Sequence, residues 1–155
     1  MKLQHATRYA IWSIIELASR EGEQVSANEI AEKYGISQHH LAKVLRTLAR
    51  ARVVASVRGP GGGFVFTGRA NRLTLADIIT LFESDWHDSE PLASAAETPI
   101  AAEIGRVLNE IDRITAATLR SVTVQTIINN ARRTARLREA AKDIAAAPQL
   151  RSIPR

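Results

Sequence analysis

Apolar residues recur at helical spacing through the first fifty residues, in three groups separated by residues that favour helix ends. The first group predicts a helix over residues 7–20, with a buried stripe of Ala10, Ile14, Leu17 and Ala18. Ser26 and Glu29 have the spacing of a capping box and predict the start of a second helix, which Gly35 ends. Ser37 is predicted to cap a third helix, with an apolar stripe of Leu41, Val44, Leu45 and Leu48. The short turn between the second and third helices predicts a helix-turn-helix, whose third helix is the recognition helix.

The next residues have the pattern of two short strands joined by a glycine-rich turn. Val53–Val57 is rich in β-branched residues, and Phe64–Phe66 returns as a second strand. The turn between them, Gly59–Gly63, cannot continue a helix or a strand. A basic helix followed directly by a two-stranded hairpin is the layout of a winged helix-turn-helix domain. The sequence therefore predicts a mainly α fold with a small β wing, in which residues 1–84 form the DNA-binding domain.

The second half of the chain predicts one long helix. Thr74 and Asp77 predict the cap of a fourth helix, and residues 85–98 then lose the helical spacing and are predicted to form a loop. Beyond it, apolar positions recur at spacings of 4, 3, 4, 3 and 4, at Ile100, Ile104, Val107, Ile111, Ile114 and Thr118. We interpret this seam as a dimer interface, with an internal core stripe as the alternative. Residues 99–130 would comprise this helix and a short following one, and residues 131–155 a basic, partly disordered tail.

Composition narrows the possible chemistry. The chain has 155 residues, a formal net charge of +5 and no cysteine. The positive balance favours a polyanionic partner, and the lack of cysteine excludes disulfides, thiolate catalysis and cysteine-bound zinc or iron–sulfur sites. No signal-peptide core or run of about 18 apolar residues is present, so we expect a cytoplasmic protein that contacts no membrane. No catalytic constellation is recognisable, so we predict neither enzymatic activity nor catalytic residues.

The predicted DNA contacts lie on the recognition helix and in the wing. At about 100° per residue, the helix face opposite the apolar stripe is basic and can meet phosphates. A merely solvated charged face is the alternative, and the adjacent wing favours DNA. The glycine-rich turn is not a nucleotide-binding loop, because it lacks the Gly-Lys-Ser/Thr ending and leads into a strand. The predicted set is Ser37, Gln38, His39, His40, Lys43, Arg46, Arg50, Ser56, Arg58, Gly59, Pro60 and Gly61.

The segments ISQHHLAKVLRTLARA and VASVRGPGGGF together closely resemble the Rrf-two family of bacterial regulators, of the IscR, NsrR and CymR type. MKLQHATRYAIWSIIELA and LTLADII resemble the family's first helix and the helix after its wing, and Pro99–Thr118 resembles its long dimerisation helix. The resemblance covers roughly residues 1–130. It implies a homodimer that binds a near-palindromic operator, with Arg58 entering the minor groove. The positions that it assigns to base contacts are His39, His40, Ala42 and Lys43.

The resemblance also defines a departure from the family. Many members hold an iron–sulfur cluster on three cysteines before the long helix, and the two later ones would fall near Ala96 and Ala102, where this chain has none. It implies a cysteine-free member without that cofactor, with residues 85–98 at the sensor position. Such a chain is either a naturally cluster-free member or one whose cysteines were replaced. Acidic and imidazole side chains in this loop could bind a metal, but a solvated acidic loop is the favoured interpretation, and no metal site is predicted; these side chains are Asp85, His87, Asp88 and Glu90.

These observations predict a sequence-specific transcriptional regulator, with repression as the favoured direction. The alternative is a cluster-free regulator or interaction module controlled by a protein partner or an unknown small ligand. His87 is the best single candidate for a response, because imidazole changes charge near neutral pH.

Overall fold

The computed structural model describes residues 3–59, 61–83 and 98–146. Within these ranges the chain forms six helices and one two-stranded antiparallel sheet, which confirms the predicted class. In chain order the elements are α1 (His5–Ser19), α2 (Ala27–Tyr34), α3 (Gln38–Arg50), β1 (Val54–Val57), β2 (Gly63–Phe66), α4 (Leu75–Thr80), α5 (Pro99–Ser121) and α6 (Val124–Ala146).

The core lies where the apolar stripes of the first three helices meet. Helix α1 packs against both α2 and α3, and the wing strands close the core from one side. The predicted stripes of α1 and α3 are buried at all eight positions. Each large aliphatic side chain removed from water in this way contributes about 1.5–3 kcal/mol, so the stripes define how the helices are arranged.

The predicted helix caps form, with one exception. Ser37 accepts a hydrogen bond from the His40 amide at 3.3 Å, and Gly35 ends α2 in the left-handed conformation with φ 61°. The box at the start of α4 is complete, because the Thr74 and Asp77 side chains each accept the other's backbone N–H. The predicted box of α2 is wrong in its second half. Its serine caps as expected, but the Glu29 carboxylate pairs with an arginine of the α1 end instead of returning to the cap.

The wing is held against the turn before α2. Val54 pairs with Phe66 and Val57 with Gly63, and an isolated bridge joins Val25 to the second strand. At this bridge the backbones approach so closely that a Cβ on Gly63 would lie 2.4 Å from the Val25 carbonyl oxygen. The glycine at the start of β2 is therefore required by packing.

The two long helices, α5 and α6, pack on different helices of the domain. Helix α5 packs on α4 and ends at Ser121, and the next residue, Val122, is extended. Backbone hydrogen bonds from Leu75 to Val122 and from Val124 to Leu73, each 2.9 Å, tie this break to the start of α4. Helix α6 then packs on α1.

The prediction of a short last helix and a partly disordered tail is wrong for residues 131–146. Helix α6 has 23 residues and continues to Ala146, because this stretch is composed largely of alanine, arginine and other strong helix formers. Residues 147–155 lie outside the part of the chain that the structure describes. None of the described helices combines the length and apolar character needed to cross a membrane.

Candidate nucleic-acid interface

Helix α3 separates its two predicted faces cleanly. Leu41, Leu45 and Leu48 are fully buried, whereas the predicted DNA-contacting residues of this helix and its cap are all exposed. The exposed set is Ser37, Gln38, His39, His40, Lys43, Arg46 and Arg50, and Ala42 is exposed with them. The structure therefore leaves the whole predicted recognition surface accessible.

The cations of this surface are uncompensated. Lys43, Arg46 and Arg50 of α3 and Arg58 of the wing form no ion pair with any residue in the described ranges. All four side chains are exposed. Unpaired basic groups on neighbouring elements create a positive potential that attracts phosphate.

The first turn of α3 is braced against α2. Gln38 donates a hydrogen bond from Nε2 to Asn28 Oδ1, and Asn28 in turn donates to Glu32 Oε1 at 3.0 Å. The predicted DNA contact at Gln38 thus also has a partner within the protein. The adjacent imidazoles of His39 and His40 have ring centroids 6.0 Å apart and are inclined by 58°, so they point in different directions.

The wing tip is a tight turn in which backbone atoms lie close to one another. Gly62 donates to the Gly59 carbonyl at 2.8 Å, and a Cβ on Gly62 would lie 2.8 Å from the Val57 carbonyl oxygen. Gly59 and Gly61 have φ of 128° and 78°, which favours glycine. Of the predicted wing residues, Ser56, Arg58, Gly59 and Gly61 are exposed, and Pro60 lies outside the described residues.

One residue that positions the wing was not predicted from the sequence. Gln24, in the loop after α1, donates from Nε2 to the Gly61 carbonyl and so fastens the wing tip to the helical domain. A hydrogen bond across 37 residues of sequence has no local signal, because an exposed glutamine in a loop is ordinary. The tether limits how far the tip can move away from α3.

The turn between α3 and β1 contains a residue in the left-handed conformation. Arg52 has φ 58°, the left-handed conformation, and Val53 donates to the Leu48 carbonyl at 3.1 Å. A Schellman-like turn of this kind usually has glycine at the left-handed position, and a residue with a Cβ there costs about 1–2 kcal/mol. The turn aims the chain from the recognition helix into the wing.

A buried carboxylate connects α1 to α2. Glu16 is 4% exposed, and its Oε2 accepts hydrogen bonds from Lys33 Nζ at 2.6 Å and Tyr34 Oη at 2.8 Å. Its other oxygen, Oε1, lies 2.8 Å from Arg20 Nη2 as an ion pair, without the geometry of a hydrogen bond. Burial alone raises the pKa of the Glu16 carboxyl, but the bonds from Lys33 and Tyr34 and the two nearby cations outweigh it and hold that pKa below its ordinary value.

Aromatic side chains extend this connection. Trp12 stacks on Tyr34, with ring centroids 5.7 Å apart and planes 10° apart, and the Arg8 guanidinium lies 5.3 Å from the Trp12 ring. Burial, and then the bond to Glu16, raise the pKa of Tyr34 to about 12, so its hydroxyl remains a donor. Stacked rings and a shared carboxylate fix the position of α2, on which α3 is braced.

Glu83, beside the 84–97 segment, caps the start of α1. Its Oε1 accepts hydrogen bonds from the Gln4 amide at 3.0 Å and from Thr7 Oγ1 at 2.5 Å. Thr7 is fully buried. A carboxylate satisfies the free N–H groups of a helix start and interacts favourably with its dipole. The end of the DNA-binding domain is thus fastened to its beginning.

The seam of α5 is exposed in the part of the protomer that the structure describes. Ile100 is 75% exposed, and the other five positions, Ile104, Val107, Ile111, Ile114 and Thr118, are exposed as well. Only Ala116 is buried among the residues of α5. Within the described part of the chain, the seam is therefore not an internal core stripe.

Known proteins similar to this chain are transcriptional regulators. The family model for Rrf2, an iron-dependent transcriptional regulator, matches residues 3–130. The chain belongs to the Rrf2 family. It is 48% identical over 128 residues to BadM of Rhodopseudomonas palustris, named as an HTH-type transcriptional regulator, and the match covers 83% of this chain and 81% of BadM.

Solved structures of Rrf2-type regulators have a similar fold. CymR, the global cysteine regulator of B. subtilis, matches with a TM-score of 0.74 and 28% identity, over 84% of this chain and 98% of CymR. IscR of T. potens matches with a TM-score of 0.63 and 25% identity, over 84% of this chain and 88% of IscR. The chain is thus a DNA-binding transcriptional regulator of winged-helix architecture, and its relatives are not enzymes.

The residues of this Rrf2 protein do not fit a thiolate-bound cluster. The chain has no cysteine, so no thiolate is available at any position. Within the described ranges no three histidine, aspartate or glutamate side chains gather to hold a metal ion. The predicted loop residues Asp85, His87, Asp88 and Glu90, and Ala96, lie outside the described residues, and Ala102 lies on α5.

Proposed function

We propose that this Rrf2 regulator binds a near-palindromic operator as a homodimer and represses transcription from it. The observation that carries the proposal is the uncompensated basic surface of α3 beside a tethered wing. In this mode α3 enters the major groove, and its exposed first two turns present His39, His40 and Lys43 to base edges. The more distal Arg46 and Arg50 meet phosphates, which position the protein without reading sequence. The protein acts in the cytoplasm. It represses transcription where the operator overlaps a promoter.

The wing supplies the second contact. Arg58 stands at the base of a turn whose tip has almost no side chains, so the backbone of the turn can approach the DNA closely. An arginine presented on such a turn suits the minor groove, whose narrow regions attract cations. The tether from Gln24 holds this arginine in a constant relation to α3, so that both elements can engage one half-site.

The homodimer is supported by the α5 seam. Five aliphatic side chains between Ile100 and Ile114 are 44–75% exposed on one face, and exposed apolar rows of this length mark interaction surfaces. Their 4-3 spacing matches the seam of a two-helix interface. Two protomers joined there would present two recognition helices, which must meet half-sites about 34 Å apart.

Operator binding is tested with a duplex selected from a random library by the purified protein. We expect Arg58→Ala to weaken binding to this duplex by about 1–3 kcal/mol in fluorescence anisotropy, because the guanidinium no longer reaches the minor groove. Arg113→Ala, a substitution of an exposed arginine on α5, is the control and should leave the affinity unchanged. Equal affinities of the Arg58→Ala and wild-type proteins would remove the wing from the interface. A reporter gene placed behind the selected duplex then tests repression, which fails if expression stays constant or rises.

A further inference from the structure

The second half of α6 is a basic helix with an exposed surface. Every residue from 131 to 144 is exposed. Residues 131–146 carry five cations and two anions, a net charge of +3 within a chain of net charge +5. The charged residues are Arg132, Arg133, Arg136, Arg138, Glu139, Lys142 and Asp143. We call residues 131–146 the basic arm; it lies beyond the 3–130 match to the Rrf2 family model.

The basic arm continues a helix that is anchored in the DNA-binding domain. Val124 and Ile128 are buried in the core, and the Gln125 amide donates to the Ala70 carbonyl at 2.8 Å. At the base of the arm, Arg132 Nη2 lies 3.4 Å from the carbonyl oxygen of Ser19, the last residue of α1. At a rise of about 1.5 Å per residue, the 14 residues from 133 to 146 extend roughly 21 Å beyond that hydrogen bond. The arm therefore projects from the same body that holds the recognition helix and the wing.

The arginines at the start of the arm are arranged unfavourably for the free protein. Arg132 and Arg136 are four residues apart and Arg133 and Arg136 three apart, so these cations are neighbours on the helix surface. Like charges at these spacings destabilise a helix by about 0.2–0.5 kcal/mol per pair. None of Arg133, Arg136 and Arg138 forms an ion pair with another residue in the described part of the chain. A polyanion at this surface would relieve the repulsion.

We propose that the basic arm binds the phosphate backbone of DNA next to the operator. The proposal rests on the DNA-binding function above, and it adds an interaction that is independent of sequence. Charge complementarity selects this occupant, because guanidinium groups bind phosphates by paired hydrogen bonds and each neutralised phosphate releases counterions. Arg133 and Arg136 share one stretch of the helix surface with Asn129 and the exposed Leu137, so guanidinium and amide donors lie beside an apolar side chain.

The test compares two lengths of DNA. One duplex is the selected operator alone, and the other carries the same operator extended at both ends by about one and a half helical turns, with roughly 10 bp per turn. We expect Arg133→Gln/Arg136→Gln/Arg138→Gln to bind the short duplex like the wild type. On the long duplex its affinity should fall, and the slope of log affinity against log salt should decrease by about 0.9 for each phosphate that the variant no longer neutralises. Between 50 and 200 mM salt this corresponds to about a threefold difference in affinity per phosphate.

A second variant of the arm changes its net charge in the opposite direction. Glu139→Gln/Asp143→Asn removes the two anions of the arm and should strengthen binding to the long duplex while leaving the short one unchanged. Circular dichroism of all variants shows whether α6 is still helical. A third duplex of equal length without the operator separates the two proposals, since the arm should contribute to it whether or not operator binding is found. Arg58→Ala, by comparison, should weaken operator binding equally at both lengths.

Two results would overturn the proposal. The first is a triple variant whose salt dependence matches the wild type on the long and the operator-free duplexes. The second is a DNA-free triple variant, or Leu137→Asp, that sediments as a smaller species than the wild type, because the arm would then be a self-association surface. Leu137 is 62% exposed, so its substitution does not disturb the core of the protomer.

Discussion

Helices α3 and α5 carry the same kind of apolar stripe, but the stripe is buried on α3 and exposed on α5. On α3, Leu41, Leu45 and Leu48 are all 0% exposed. On α5, Ile111 and Ile114 are 53% and 58% exposed. Both stripes follow the 3.6-residue period, and both helices are otherwise polar. The pattern therefore states which face of a helix must be covered, but not by what.

The cover differs because the two helices have different neighbours. Helix α3 is short and lies between α1, α2 and β1, which together enclose its apolar side. Helix α5 has 23 residues and packs chiefly on α4, which has six residues and is too short to cover it. A helix about four times longer than its partner keeps an exposed face unless a second chain supplies one. The contrast predicts that a substitution in the α3 stripe destabilises each protomer by itself. A substitution in the α5 seam should instead weaken the association of two protomers.

The largest effect is expected from a charge in the seam. Ile111→Asp would place a carboxylate from each protomer in an apolar interface, at a cost of several kcal/mol per ion. We expect this variant to sediment as a monomer that retains the circular dichroism of the wild type. Ala117→Asp introduces the same charge on the exposed polar face of α5 and should leave the dimer intact. A dimer of unchanged stability in Ile111→Asp would locate the interface elsewhere.

A cavity in the core around α3 should lower the stability of the protein by a similar amount. This decrease should not depend on dimerisation. Leu45→Ala removes a fully buried side chain, and such substitutions destabilise proteins by about 2–5 kcal/mol. Urea denaturation should show this decrease in stability at every protein concentration. The paired substitution Ile111→Ala should lower stability only where the protein is dimeric, and its effect should vanish on dilution. If both variants respond to dilution alike, the distinction between the two stripes is wrong.

The polar connection between α1 and α2 gives a smaller, pH-dependent effect. Because the pKa of Glu16 is held below its ordinary value of 4.5, this carboxylate stabilises the fold above about pH 4.5, and the contribution is lost as the pH falls through the folded-state pKa. Glu16→Gln should cost about 1–3 kcal/mol at pH 7, since Lys33 and Tyr34 lose a charged acceptor. The difference from the wild type should shrink below pH 4. Glu23→Gln, at an exposed site, is the control; a constant difference from pH 3 to pH 7 would contradict the assignment.

The smallest effect concerns the backbone turn between α3 and the wing. Arg52→Gly relieves a left-handed conformation and should stabilise the protein by under about 1 kcal/mol, since glycine also gains freedom in the unfolded chain. Ala51→Gly, one residue earlier at φ −74°, should instead destabilise by about 0.5–1 kcal/mol. Thermal unfolding of the two variants gives the comparison. A decrease in stability in Arg52→Gly would show that its side chain, and not its backbone, matters to the fold.

The site was predictable where its signals are local. The caps at Ser37 and Thr74, the stop at Gly35 and the hairpin of 53–66 depend on residues within a few positions of each other, and all appear as expected. The exposed face of α3 follows from the same periodicity. The specific DNA contacts and the dimer remain predictions, because they depend on partners that the chain does not contain.

Three features depended on distant parts of the chain and had no sequence signal. Gln24 reaches the wing tip across 37 positions, and Glu83 reaches the start of α1 across 79. The Glu29 carboxylate, expected at its own cap, pairs with Arg20 of a different helix end because an ion pair was within reach. Side chains of this kind choose among several partners of similar energy, and only their positions in the folded chain decide which one is near.

The sequence by itself determined the helices, the hairpin, the buried stripes and the absence of a thiolate-bound cluster, because each depends on residue type and local spacing. The tertiary structure decided what covers each stripe. It closed α3 inside the domain, left the α5 seam exposed, and anchored the first turns of α6 on α1. The physical reason is that helix periodicity is set by backbone geometry over a few residues, whereas burial depends on which surfaces the whole chain brings together.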